Sequence, residues 1–145
     1  MTHIRVVATG TFDILHPGHV LYLEKSRALG DELVVIVARD VNVKHKPKPI
    51  MPEEQRLWMV SALKAVDLAV LGSKTDIFQP IERLQPDIIT LGHDQHFNPD
   101  ALLAELNARG LRPKIVRIEA REPCALCSSR RIVARILERH KDVHL

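Results

Sequence analysis

Ile4-Arg5-Val6-Val7-Ala8-Thr9-Gly10-Thr11-Phe12-Asp13-Ile14-Leu15-His16-Pro17-Gly18-His19 is the stretch whose reading decides the fold. Ile4 to Thr9 is an apolar, largely β-branched run that predicts a buried strand. Gly10 allows a sharp turn and a close backbone approach to a ligand. His16 to Leu29 then predicts a helix, with Pro17 in its first turn and Gly30 as its stop. The next apolar run, Leu33 to Ala38 (LVVIVA), predicts a second strand of the parallel kind, covered on both faces.

The same alternation continues outward from this unit. A Pro/Lys-rich loop from Arg39 to Met51 leads to a helix opened by Pro52, with Leu57, Val60, Ala62 and Leu63 roughly on one face. Leu68 to Leu71 predicts a third strand, Ile77 to Leu84 a short helix with Pro80 in its first turn, and Asp87 to Leu91 a fourth strand. Asn98-Pro99 is a cap followed by a first-turn proline. The helix it opens carries Leu102, Leu103 and Leu106 and ends at Gly110. Lys114 to Ile118 predicts the fifth strand. Ser128 or Ser129 caps a last helix bearing Ile132, Val133, Ile136 and Leu137 at helical spacing. Five strands alternating with helices predict an α/β chain: a Rossmann-like, doubly wound, five-stranded parallel sheet in a single domain over residues 1–145. Ligands of such sheets bind beyond the carboxyl ends of the strands, at the topological switch point. Function is therefore expected in the segments 10–19, 39–48, 72–76, 92–97 and 119–129.

Composition narrows the classes. A chain of 145 residues with 46% hydrophobic and 27% charged content fits one soluble globular domain. Aromatic residues make up only 3%, so the core must be aliphatic, and stacking platforms for single-stranded nucleic acid are scarce. The net charge of +3 reads as solubility rather than a nucleic-acid footprint, because the densest basic stretch, Lys44-His45-Lys46-Pro47-Lys48, is short. No apolar run approaches the ~18 residues that suggest a membrane span. Met1-Thr2-His3-Ile4-Arg5 runs straight into a strand without signal-peptide features. The expectation is a cytoplasmic chain with no membrane or nucleic-acid partner. Two cysteines, Cys124 and Cys127, do not make a disulfide framework.

The first loop carries the chemistry. His16 falls at the helix N-cap and His19 one turn on, so both imidazoles reach the same space, which Gly18 keeps open. A helix N-terminus already offers unpaired N–H groups and partial positive charge. Two imidazoles added there suit a phosphate whose charge grows during reaction, since they donate hydrogen bonds to nonbridging and leaving oxygens.

Gly10-Thr11-Phe12-Asp13 followed by His16-Pro17-Gly18-His19 resembles the signature of the cytidylyltransferase-like nucleotidyltransferases, with their H-x-G-H motif, and the resemblance covers nearly the whole chain. It implies transfer of a nucleoside monophosphate from an NTP with release of pyrophosphate. His16 and His19 are implied to stabilise the transition state at the α-phosphorus. Thr11, Phe12, Pro17 and Gly18 are implied to line the nucleotide. Similar enzymes place a lysine of the second loop on the phosphates; Lys44 or Lys46 fits, with Lys46 taken as the catalytic one and Lys44 toward the acceptor. A similar helix carries an arginine facing the site, which makes Arg56 a candidate; Glu53 and Glu54 read as exposed helix surface. Gly92-His93-Asp94 matches the family's Gly-x-Asp, with Asp94 near the nucleoside or simply a loop cap. His93 and His96 flank it without a third metal ligand at suitable spacing. Arg121, Ser128 and Ser129 match an arginine and a hydroxyl pair that open the final helix over the triphosphate, a second anion site.

Cys124 and Cys127 depart from that pattern. A C-x-x-C pair reads as a redox dithiol, as half a zinc site, or as two small residues packing a tight loop, and the last is the expectation. Beside a phosphate site, their oxidation would inhibit.

The stretches from Gly10 to Asp40 and from Lys46 to Leu71 are similar to the archaeal FAD synthetases, which implies AMP transfer from ATP to FMN with a divalent metal such as Mg2+. The metal would be bound mainly through substrate phosphates. Asp13 is either an outer metal ligand near the acceptor or a turn stabiliser. The flavin ring wants an apolar surface. Trp58, Phe78 and Phe97 are the candidates, Phe97 the best placed, with a core role the default for each. Cytidylyl transfer to glycerol 3-phosphate or phosphoethanolamine is the alternative within the same chemistry, since backbone contacts usually read the base in such loops. A non-catalytic nucleotide-binding sensor is the alternative outside it, against which the intact His16 and His19 argue. A homodimer is expected from symmetry and the resemblance.

Overall fold

The structure, a computed structural model, describes residues 2–44, 47–92, 98–119 and 124–141. Strands β1 (Arg5–Gly10), β2 (Glu32–Val37), β3 (Leu68–Leu71), β4 (Ile88–Gly92) and β5 (Lys114–Ile118) alternate with helices α1 (Pro17–Arg27), α2 (Glu53–Ser61), α3 (Gln79–Leu84), α4 (Pro99–Ala108) and α5 (Ser129–Arg139). All four pairings are parallel, in the order β3-β2-β1-β4-β5. The chain winds from the central β1 toward one edge through β2 and β3, then toward the other through β4 and β5. The switch point predicted from the alternation lies between β1 and β4, the position at which ligands of such sheets bind.

Strand alternation divides the core into two layers. Val6 and Ala8 of β1 join Leu33, Val35 and Val37 of β2 beneath α1 and α2, through Tyr22, Leu23 and Val60. Val7, Val34, Ile36, Ile89 and Leu91 face the other way, beneath α3 and α4, through Ile81, Leu102 and Leu106. The inner strands β1, β2 and β4 thus bury both faces, which is why their sequences are dominated by apolar residues. Burial at about 25 cal/mol per Å2 of apolar surface makes these two layers the main source of stability.

The layer under α1 includes a polar lock. Tyr22 Oη donates to Thr90 O at 2.9 Å, and Ser26 Oγ lies 2.9 Å from Thr90 Oγ1. Ser26 and Thr90 are fully buried. Satisfied hydroxyls in a low-dielectric layer fix one docking of α1 on β4, because any slide would orphan them.

The structure corrects several expectations. α2 ends at Ser61, so Ala62 is its exposed C-cap and not part of the apolar face. α3 starts at Gln79, because Asp76 accepts from the Phe78 amide at 3.0 Å and holds the preceding residues in a turn. Trp58 is 75% exposed and is not a core residue. Phe78 does pack against the second layer. α5 buries none of its residues, and Ile136 and Leu137 of its apolar stripe are exposed. No helix among the described residues is long and apolar enough to cross a membrane.

Candidate active site

The loop leaving β1 folds back on the strand it has just left. A Cβ at Gly10 would lie 2.7 Å from the Phe12 ring, so only glycine lets that ring close over the strand end. Phe12 is buried and adopts φ +54°, left-handed for a non-glycine residue. Such backbone costs on the order of 1–3 kcal/mol and persists where its surroundings over-determine it. Here the ring meets His19 edge-on at 5.4 Å between centroids and stacks on Tyr22 at 6.5 Å.

Two imidazoles then build the start of α1. His16 is the N-cap; its Nδ1 accepts from the Gly18 amide at 3.1 Å. His19 reaches back, its Nδ1 accepting from the His16 amide at 3.3 Å. This is a capping box in which histidines replace the usual hydroxyl and carboxylate. Two of the orphan amides of the turn are thereby satisfied. The consequence is chemical as well as structural. A ring nitrogen that accepts an N–H carries a lone pair, so the geometry assigns the proton of each neutral imidazole to Nε2. The two rings lie 3.8 Å apart between centroids, tilted by 30°. A Cβ at Gly18 would sit 2.9 Å from His16 Cε1, so this glycine is what lets the ring close on the helix.

A second helix start lies alongside. Cys127 O is 3.5 Å from the position a Gly18 Cβ would take, and Ser129 Oγ donates to Ile14 O at 3.4 Å. Ser128, the N-cap of α5, accepts from the Arg131 amide at 3.1 Å. The N-termini of α1 and α5 therefore lie side by side. Cys124 and Cys127 are joined by a disulfide with a Cα–Cα distance of 5.5 Å. This corrects the expectation of two small residues merely packing a tight loop. The bridge closes a ring too small to staple the fold, and it stands immediately before the α5 cap.

Charged side chains tie the neighbouring loops to the β1 loop. Both Asp13 carboxylate oxygens accept backbone amides, from Ile50 at 2.9 Å and Met51 at 2.8 Å. Asp13 is thus engaged as a clamp between loops. Arg56, expected to face the ligand, points inward: its side chain is fully buried and its guanidinium holds Met51 O, Thr11 O and Asp40. Glu53, expected on the surface, is buried; it accepts from the Asp40 amide at 3.0 Å and from Arg39 Nη1 at 2.6 Å. The Asp40 amide first, and then the Arg39 guanidinium, hold the Glu53 carboxyl below the ordinary carboxylate range. Arg39 in turn donates to Gly72 O at 2.7 Å, bringing in the loop after β3.

The spacing Glu53, Arg56, Val60 was the available signal for these roles. It puts two charges on the buried stripe of α2, where they require partners. Lys44 is exposed. Lys46, Asp94, Phe97 and Arg121, together with His93 and His96, lie outside the described residues. Among the described residues no three His, Cys, Asp or Glu side chains gather to hold a metal.

The parallel sheet has its switch point beside a histidine-capped helix, and the cytidylyltransferase-like family model matches residues 7–135. The chain belongs to that family and is a nucleotidyltransferase. Over 137 residues it is 69% identical to a Methanothrix thermoacetophila protein named FAD synthase, covering 94% of this chain and 96% of the relative. An Archaeoglobus profundus FAD synthase is 62% identical over 135 residues, covering 93% of this chain and 87% of the relative. Among solved structures, a Thermoplasma volcanium protein described as a lipopolysaccharide core biosynthesis protein superposes with a TM-score of 0.80 at 48% identity. The match covers 83% of this chain and all of that one.

Proposed function

We propose that this chain is an FAD synthase, transferring AMP from ATP to the phosphate of FMN and releasing pyrophosphate. The carrying observation is the reciprocal imidazole cap, which presents two Nε2 donors at one helix N-terminus. The 69% identity to a protein named FAD synthase supports the acceptor.

The chemistry follows from charge. A phosphate monoester has a second pKa of about 6, so the FMN phosphate is largely dianionic at neutral pH and needs no general base. One of its oxygens attacks the α-phosphorus, forming the new P–O bond. The bond from that phosphorus to the β-phosphate oxygen breaks, and pyrophosphate leaves with the electron pair. His16 and His19 donate through Nε2 to the oxygens whose charge rises, where preorganised donors act most strongly. The amides at the starts of α1 and α5 add fixed partial positive charge. Lys46, Asp94, Arg121, Ser128 and Ser129 complete this reading on the nucleotide side, and Lys44 and Phe97 on the acceptor side. A divalent cation, bound mainly through the nucleotide phosphates, supplies charge neutralisation. That fits a loop whose own carboxylate, Asp13, is already held by two amides. A homodimer and a cytoplasmic location belong to the same reading.

The test is a product assay under reducing conditions. Purified protein with Mg2+ meets ATP or CTP and, in turn, FMN, glycerol 3-phosphate and phosphoethanolamine. FAD from ATP and FMN is the expected product. A CDP-linked product without flavin turnover would replace the acceptor, and nucleotide binding without any product would favour a sensor.

A further inference from the structure

We propose that Arg56 is a positioning residue for the nucleotide, acting through the Thr11–Phe12 peptide, and not a group that touches substrate. This rests on the reading of residues 10–19 as the nucleotide loop. Three donors of one buried guanidinium reach three different segments: Nε to Met51 O at 3.0 Å, Nη1 to Thr11 O at 2.7 Å and Nη2 to Asp40 Oδ1 at 2.5 Å. The residue is 1% exposed, the largest fully buried side chain of the described chain. A buried cation is costly to desolvate, and apolar replacements of such ions often match or improve stability. Burial alone is therefore no account of Arg56; what the fork specifies is geometry, since a planar guanidinium aims several donors at fixed angles.

The Thr11 carbonyl is the informative partner. A trans peptide is planar, with its C=O and N–H pointing in opposite directions. Holding Thr11 O against Arg56 therefore turns the Phe12 N–H away from α2, to the opposite side of the loop. No hydrogen bond from the Phe12 amide to another described residue is present. The same peptide leads into the left-handed Phe12 backbone, a conformation that needs outside support. Asp13 completes the arrangement from the other end by clamping Ile50 and Met51, whose carbonyl Arg56 also holds. In this arrangement Arg56 sets the direction of one amide that the nucleotide phosphates or sugar would use, while His16 and His19 act on the reacting oxygens.

The experiment is a titration of the whole protein with Mg2+-ATP, without acceptor, followed by backbone amide NMR and calorimetry. In the wild type the Phe12 amide resonance shifts on saturation. Arg56→Lys, which keeps the charge and the stem but loses the fork, binds ATP about tenfold more weakly, the loss of roughly one charge-assisted hydrogen bond. Its kcat at saturating ATP stays within a few-fold, so the defect falls on KM. Asp40→Asn retains an oxygen acceptor for Nη2 and binds ATP nearly as wild type does. Arg56→Lys with unchanged ATP affinity and a lowered melting temperature would make the residue merely structural and overturn the proposal. Should Arg56→Lys not fold, the wild-type titration decides: a Phe12 amide untouched by saturating ATP overturns the proposal even where FAD is formed. A shifted Phe12 amide with weakened Arg56→Lys binding upholds it even where FMN proves not to be the acceptor.

Discussion

Two arginines organise opposite faces of the sheet, and the contrast between them separates what serves the site from what serves the fold. Arg56 is buried beneath the strand ends, and two of its three partners are backbone carbonyls of loops. Arg109 sits where α4 ends, on the other face. Its partners are the carboxylates of Asp76, Glu82 and Glu105, and its guanidinium lies 4.8 Å above the Phe78 ring. The Asp76 bond, with Glu105 behind it, pushes the Arg109 pKa up, and the Arg109 bond holds the Asp76 carboxyl below its ordinary value. Both arginines use the same fork. One holds two loop carbonyls beside the β1 loop, and the other ties α4 to the segment that leads into α3.

The largest expected effect lies on the side Arg56 serves. His16→Ala or His19→Ala lowers turnover at least ~100-fold, as for a lost transition-state donor, with little change in ATP affinity. Steady-state kinetics beside a binding titration checks it, and near-wild-type turnover in both would remove the histidines from the chemistry. On the opposite face, Arg109→Gln lowers the melting temperature by a few degrees and leaves kcat and both KM values nearly unchanged. A loss of activity there at temperatures well below melting would erase the contrast.

Acid sharpens the comparison further. The folded pKa of Glu53 lies below its unfolded value, so its contribution is fully present above the unfolded value and disappears as pH falls through the lowered one. The gap in melting temperature between wild type and Glu53→Gln should therefore be widest near neutrality and close below the usual carboxylate range. A gap constant down to pH 3 would contradict the assigned cause. The smallest effect expected is redox. The Cys124–Cys127 bridge stiffens the loop before the α5 cap, so re-forming it by oxidation of the fully reduced wild type should lower turnover, while the same treatment leaves Cys124→Ser/Cys127→Ser unchanged. Equal activity of both proteins before and after treatment would end that reading.

Residues 10–19 were legible in the sequence because each local signal there agrees with the fold: glycine where the Phe12 ring closes, proline in the first helical turn, histidine at the cap. β3 and β5 fall on their expected bounds because apolar runs flanked by turn residues leave one reading. Arg56 and Glu53 were misread for a physical reason. Glu53 at a helix start defaults to solvent and Arg56 was expected to face the ligand, and only tertiary partners from the neighbouring loops satisfy both charges in the interior. The same stripe turns Trp58 outward, against its default core role. The apolar face of α5 is regular in sequence, yet spacing alone does not say whether a layer exists for it to cover.

The central claim is that the fold assigns the proton of both imidazoles to Nε2, on the reacting side. Long-range nitrogen–proton NMR correlation of the neutral histidine rings, in the presence of a nonhydrolysable ATP analogue, measures this directly. The account predicts the Nε2–H tautomer for both His16 and His19, with the Nε2 resonances moving on nucleotide binding. A Nδ1–H tautomer at either ring, or Nε2 resonances indifferent to nucleotide, would contradict it.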